Sequence, residues 1–159
     1  MSTVDSATAP DPMPSGSPTM SRRLDHVGLN VADLAAAQAW YEQAFGYVED
    51  LAVRIDALDL DIVMLIHPAR RDRLELLYRP GGRPGLRADN PPDAVLTLGF
   101  GHVAFDVQGV DEAFDRLVAL GARPVMPPRP SPEPGVRMAF VADPEGNLVE
   151  LLDRSGQPM

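Results

Sequence analysis

The stretch Gly99-Phe100-Gly101-His102-Val103-Ala104-Phe105-Asp106-Val107 puts a histidine at the head of a run in which Val103, Phe105 and Val107 alternate with other residues. Alternation of β-favouring side chains predicts a short strand. An acidic turn, Gly109 to Asp111, leads from it into a helical pattern. The stretch has an earlier counterpart: His26-Val27-Gly28-Leu29-Asn30-Val31-Ala32-Asp33 opens the first half of the chain in the same way. His26 and His102 lie 76 positions apart, and Gly46 and Gly121, which end the two helical patterns, lie 75 apart. Glu75-Leu76-Leu77-Tyr78-Arg79 and Glu150-Leu151-Leu152-Asp153-Arg154 match at the same spacing of 75. Three landmarks in one register, with a single residue of drift, define an internal duplication.

Each copy has the order β-α-β-β-β. In the first, Arg23 to Val31 is a strand and Asp33 caps a helix. Leu34, Ala37, Trp40, Tyr41, Ala44 and Phe45 recur on it at helical spacing, and Gly46 stops it. Strands follow over 47–54, 59–67 and 73–78, the last two separated by a polar turn over 69–72. In the second copy 100–107 is a strand, and Asp111 caps a helix carrying Ala113, Phe114, Leu117, Val118 and Leu120, stopped by Gly121. A short strand over 123–126 and a rigid, proline-dense loop over 127–134 come next. Strands over 136–142 and 148–152, around an Asp143–Asn147 turn, complete the copy. The fold class is α+β: two tandem βαβββ modules, 23–79 and 99–154, in a single domain over 21–159. They are joined by a Pro- and Gly-rich loop over 80–98, long enough to suggest a functional flap. Residues 1–20, rich in Ser, Thr, Pro, Ala and Gly without an apolar period, are expected to form a disordered leader.

Composition narrows the function. The chain has 159 residues, no cysteine, and 14 cationic against 23 acidic side chains, a formal charge of −9. Without cysteine there is no thiolate nucleophile, no disulfide framework and no Cys-type zinc site. The acidic balance, with no basic cluster, argues against nucleic acid and anionic membrane as partners. No apolar run approaches the ~18 residues of a membrane span. No secretory signal is visible, and a cytoplasmic location is the default expectation. Every cation is an arginine, so anion recognition would use planar, bidentate forks.

The duplication puts a histidine at the start of each first strand and a glutamate within each last strand. If the modules pair about a pseudo-twofold axis, His26, Glu75, His102 and Glu150 converge in one cleft. Two imidazoles and two carboxylates suit a divalent first-row metal and leave positions for water or substrate oxygens. Glu75 lies between Leu74 and Leu76-Leu77, where an unpaired carboxylate would be costly and a metal would neutralise it. His67, before Pro68, reads as a surface histidine. Arg54, Arg83, Arg87 and Arg137 are candidates for holding a carboxylate or phosphate, although solvated surface arginines are the common case. Trp40, Tyr41 and Phe45 read as core.

At Leu24-Asp25-His26-Val27-Gly28-Leu29-Asn30-Val31-Ala32-Asp33, Trp40-Tyr41 through Phe45-Gly46, and Asp143-Pro144-Glu145-Gly146-Asn147-Leu148-Val149-Glu150-Leu151, the sequence resembles the vicinal oxygen chelate superfamily. That superfamily includes glyoxalase I, methylmalonyl-CoA epimerase, extradiol dioxygenases and bleomycin- or fosfomycin-resistance proteins. The resemblance covers Leu24 to Asp153 and implies paired βαβββ modules forming a cupped mixed sheet around a metal. It implies His26, Glu75, His102 and Glu150 as ligands of one divalent ion (nickel, cobalt, zinc, manganese or iron), a small carbonyl substrate and a homodimer. No separate organic cofactor site is expected.

Extradiol dioxygenases usually hold their metal with two histidines and one glutamate, so Glu75 tilts the resemblance towards isomerase, epimerase or lyase chemistry. Gly99-Phe100-Gly101-His102 looks like glyoxalase I, whereas the long gap from Glu75 to His102 looks more like methylmalonyl-CoA epimerase. Both reactions take a proton from a carbon next to a carbonyl and stabilise an enediolate or enolate on the metal. Glu150 is the candidate base, with Glu75 serving the opposite face. The competing readings are a non-haem iron dioxygenase and a metal-free, drug-binding dimer of the bleomycin-resistance type; a pure binder has no need of four polar ligands.

Overall fold

A computed structural model of the chain describes residues 23–85 and 87–156; the leader expected over 1–20 lies outside the described residues. The first module contains β1 (Val27–Asn30), α1 (Leu34–Phe45), β2 (Val48–Ile55), a 3-10 turn (Asp56–Leu58), β3 (Leu60–Ile66) and β4 (Arg73–Tyr78). A short helix α2 (Pro91–Ala94) lies in the connection. The second module contains β5 (Val103–Asp106), α3 (Val110–Ala119), β6 (Arg123–Pro130), β7 (Arg137–Ala142) and β8 (Leu148–Asp153). Each module is one mixed four-stranded sheet, in the orders β1-β4-β3-β2 and β5-β8-β7-β6. The first strand of each is parallel to the last and the remaining pairs are antiparallel. The duplication therefore holds at the level of topology. No helix among the described residues is long and apolar enough to cross a membrane.

Local chemistry explains the elements. Asp33 caps α1, its Oδ1 accepting the Ala36 amide at 2.9 Å. Gly46, at φ 74°, turns the chain out of the helix while its amide donates back to Glu42. That left-handed conformation is inexpensive only for glycine. Each sheet buries one face against its own helix. In the first module Val63, Leu65, Leu74 and Leu76 face inward with Trp40 and Tyr41; in the second Val141, Val149 and Leu151 do so with Phe114 and Leu117.

These two inner layers merge into one core. Phe45 stacks on Phe105 across the modules, with ring centroids 3.9 Å apart. Tyr41, on the buried stripe of α1, donates its hydroxyl to Oδ2 of Asp143 at 2.9 Å. Both residues are buried, and Asn147 donates its backbone and side-chain nitrogens to the same carboxyl group. Burial, reinforced by the neighbouring Asp143, pushes the Tyr41 hydroxyl well above the ordinary tyrosine range. Glu145 completes the joint, its Oε1 accepting the Ala32 and Asp33 amides at 2.8 and 2.9 Å. The Asp143–Asn147 turn thus doubles as a clasp on the first module.

Three local expectations are corrected. Asp111 is not a helix cap: α3 begins after Gly109, at φ 73°, and makes no side-chain cap bond. The Asp111 carboxylate is instead held by Arg137, with Nη2 2.7 Å from Oδ1. Residues 127–130 are not loop but the end of β6, on the outer edge of its sheet. Proline is tolerated there because an edge position demands fewer backbone donors, and the register shifts beside Met126 absorb the irregularity. The 80–98 connection is not wholly irregular: Asn90 caps the single turn of α2, and Ala88 and Ala94 pack on Phe140 and Leu148.

The Tyr41–Asp143 bond predicts a stability deficit. Tyr41→Phe should cost about 1–3 kcal/mol, the usual effect of leaving a buried acceptor short of a donor, as measured by urea denaturation. Because the folded pKa is raised, the stabilisation is complete below the unfolded tyrosine pKa of about 10 and is lost as pH rises beyond it. Wild-type stability should therefore fall on the alkaline side of that value. Tyr41→Phe should flatten the fall without abolishing it, since burial and Asp72 raise Tyr47 as well.

Candidate metal centre

Strand alternation decides where the four candidate ligands go. Leu74 and Leu76 of β4 enter the core, so Glu75 emerges on the opposite face of the sheet. β1 runs parallel to β4 with Gly28 opposite Glu75, and His26 stands just before the strand, where the sequence predicts it within a longer one. His26 Nε2 is 3.5 Å from Glu75 Oε2. A Cβ on Gly28 would sit 3.5 Å from that oxygen, so any side chain larger than alanine crowds the carboxylate. The second module repeats the arrangement. Ala104 lies opposite Glu150, and His102 Nε2 is 3.0 Å from Glu150 Oε2.

The glutamates are the better protected partners: their side chains are 22% and 15% exposed, against 37% and 43% for the two histidines. The pairs are oriented differently. Asp25 Oδ2 lies 2.9 Å from His26 Nδ1, which leaves Nε2 to face Glu75. This contact with His26, reinforced by Arg73, holds the Asp25 carboxyl below its ordinary range. In the second module the ring of His102 meets Phe140 edge-on, with centroids 5.3 Å apart, and Phe140 is the cross-strand neighbour of Glu150. One histidine is steered by a carboxylate, the other by an aromatic ring.

The structure brings His26 to Glu75 and His102 to Glu150. It does not gather all four: among the described residues no three His, Asp or Glu side chains lie close enough together to hold a metal ion. The donor types suit a divalent first-row ion, an imidazole nitrogen beside a carboxylate oxygen in each pair. The donor number does not, since each pair offers only two side chains. His67 belongs to neither; its Nδ1 accepts the Arg70 amide at 3.1 Å and its ring packs on Tyr47. Arg54 is occupied by Asp59, Asp61 and Asp56, at 2.6, 2.8 and 3.0 Å. Sequence reasoning missed Asp25, although it stands next to His26. The alternating Leu51, Val53 and Ile55 read in the sequence only as a strand, because alternation alone does not say that their face stays exposed beside the pair.

With this fold and these sites in view, the class is defined: the chain belongs to the Glyoxalase/Bleomycin resistance protein/Dioxygenase superfamily, whose family model matches residues 23–151. Among individual relatives, an uncharacterized protein of Pseudomonas aeruginosa is 32% identical over 88% of this chain and 93% of its own length. An ethylmalonyl-CoA/methylmalonyl-CoA epimerase of Cereibacter sphaeroides is 32% identical over 65% of this chain and 75% of its own. The solved structure of a glyoxalase family protein from Enterococcus faecalis superposes with a TM-score of 0.68 at 22% identity, covering 84% of this chain and 99% of that one.

If the pairs exist for binding rather than for holding the sheet together, they should contribute little to folding. Glu75→Gln and Glu150→Gln should each change unfolding free energy by less than about 1 kcal/mol in urea denaturation of the metal-free protein, as expected of side-chain contacts that solvent still reaches.

Proposed function

We propose that this protein is a metal-dependent isomerase, epimerase or lyase that moves a proton on a carbon next to a carbonyl group. The observation that carries this reading is the duplicated His–Glu pair, at 3.5 and 3.0 Å, on the sheet face that each helix leaves free. Under it His26, Glu75, His102 and Glu150 are the metal ligands, the modules function as one cytoplasmic domain, and a homodimer builds each four-ligand centre from two copies. The first module of one copy meets the second module of the other.

The surface around the pairs supports the dimer. Leu51, Val53 and Ile55 register with Met64, Ile62 and Leu60 on the Glu75 face. They remain 56%, 40% and 36% exposed. Phe100, two residues before His102, is fully exposed. Large aliphatic and aromatic side chains concentrated beside an incomplete ligand set are what a second copy would cover.

A divalent ion held by these residues would lend Lewis acidity to a carbonyl oxygen of the substrate. The protein supplies the rest. His26 and His102 present Nε2, the former aimed by Asp25. Glu150, the less exposed carboxylate, accepts the proton from the carbon beside the carbonyl at Oε2. Glu75, on the opposite module, returns a proton to the other face when the reaction inverts that carbon. The likeness to a CoA-ester epimerase supports proton transfer next to a thioester carbonyl.

Incubation of the metal-loaded protein with methylmalonyl-CoA and with methylglyoxal hemithioacetals in deuterated water tests this. Deuterium should enter the substrate carbon, stop on chelation and return when nickel, cobalt or manganese is restored. Glu150→Gln should slow the exchange by roughly 10²–10⁴-fold, the usual contribution of a general base, while metal content changes less. Oxygen uptake with iron and a catechol, in place of exchange, would overturn the reading.

A further inference from the structure

We infer that the arginine-rich start of the 80–98 connection forms a subsite for a multiply charged anionic group of the substrate, a phosphoryl group or paired carboxylates. The subsite is a pocket of about 540 Å³ to which Arg79, Arg83 and Arg87 contribute, with Asn30 and Leu77 from the sheet. The inference deepens the proposed function and rests on it for what the anion is attached to.

The pocket lies on the same sheet face as the first His–Glu pair. Asn30 is opposite Leu77, one same-face step beyond Gly28 opposite Glu75. At about 3.3 Å per residue that step is roughly 7 Å along the strands. A substrate with its carbonyl at Glu75 would place an anionic tail among the arginines.

Of the described arginines that have no carboxylate within 4.0 Å (Arg23, Arg71, Arg79, Arg83, Arg87, Arg116 and Arg129), three share this one pocket. In a chain of net −9, Arg54, Arg70, Arg73, Arg123, Arg137 and Arg154 all stand within 4.0 Å of a carboxylate. Among the described residues Arg79, Arg83 and Arg87 have no carboxylate within that distance. Glu145 shares the pocket, but its Oε1 is committed to the Ala32 and Asp33 amides. The duplication provides an internal control. Arg154 occupies the place in the second module that Arg79 occupies in the first, and it is neutralised by Glu133 at 2.6 Å. Arg79 has kept the position without the partner. Gly81, Gly82 and Gly85 line the same pocket, and a Cβ on Gly81 or Gly85 would meet nothing within 4 Å, so an anion can approach their backbone. Planar guanidinium forks beside accessible backbone suit oxyanions better than a single point charge would.

Calorimetric titration of the full-length protein with pyrophosphate and with malonate, at low salt and in EDTA, tests the pocket apart from any metal. Wild type should bind at least one of them, more weakly as salt rises. Tighter pyrophosphate binding would assign a phosphoryl group, and tighter malonate binding paired carboxylates. The triple variant Arg79→Gln, Arg83→Gln, Arg87→Gln should lose about tenfold or more in affinity. Arg154→Gln should bind as wild type does. Amide shifts of Gly81, Gly82 and Gly85 in the titrated wild type place the anion without recourse to a variant. Glu75→Gln, which removes a proposed metal ligand, should bind the anion unchanged, so failure of the metal reading would leave this result standing. Equal affinity in the triple variant, an equal loss in Arg154→Gln, or amide shifts elsewhere on the surface would overturn the inference.

Discussion

The structure depends on the joint between its two modules. Phe45 stacked on Phe105 and Tyr41 bonded to Asp143 fasten the helix-bearing sides together. Once those sides share one core, the opposite sheet faces are left free by the helices, the second carrying the connection's Ala88 and Ala94 on Phe140 and Leu148, and the His–Glu pairs stand on those faces. A carboxylate in an otherwise apolar strand is tolerable only where water, a cation or a hydrogen-bond donor reaches it. The same joint that completes the core thereby leaves the ligand pairs accessible and keeps them from converging inside one chain.

Duplication makes the molecule its own comparison. Strand order, parallel first-to-last pairing and the His–Glu contact are the same in both halves. The surroundings have diverged. Asp25 steers His26 where Phe140 packs on His102, and Arg154 is paired with Glu133 where Arg79 is unpaired among the described residues. The connection serves both halves, contributing arginines to the first sheet and packing Ala88 and Ala94 on the second. What is repeated is the scaffold with its His–Glu pair; what differs is what surrounds each pair.

The fold was legible because its signals are local or periodic: Asp33 three residues before the amide it caps, Gly46 at a left-handed turn, and two copies in register. The same register made the His–Glu pairing legible, since each copy puts a histidine just before its first strand and a glutamate in the parallel last strand. Contacts across the joint were not. Tyr41 and Asp143 are 102 residues apart, and no spacing rule links a helix stripe to a turn in the other module. Asp111 had the sequence of a cap, but Arg137, 26 residues on, competes for its carboxylate. Prolines in 127–130 read as loop because their tolerance depends on edge placement, which is a property of the finished sheet.

The central claim, that each metal centre is shared between two copies, is tested most directly by complementation. One chain carries His26→Ala and Glu75→Gln, the other His102→Ala and Glu150→Gln, and neither alone can form an intact four-ligand centre. When the two are unfolded, mixed and refolded together, the account predicts recovery of tight cobalt binding and proton-exchange activity in the mixed dimer, at one intact centre per dimer. If the centres were built within single chains, every chain in the mixture would carry a broken set. Absence of any recovery, with mixed dimers demonstrably formed, would contradict the account.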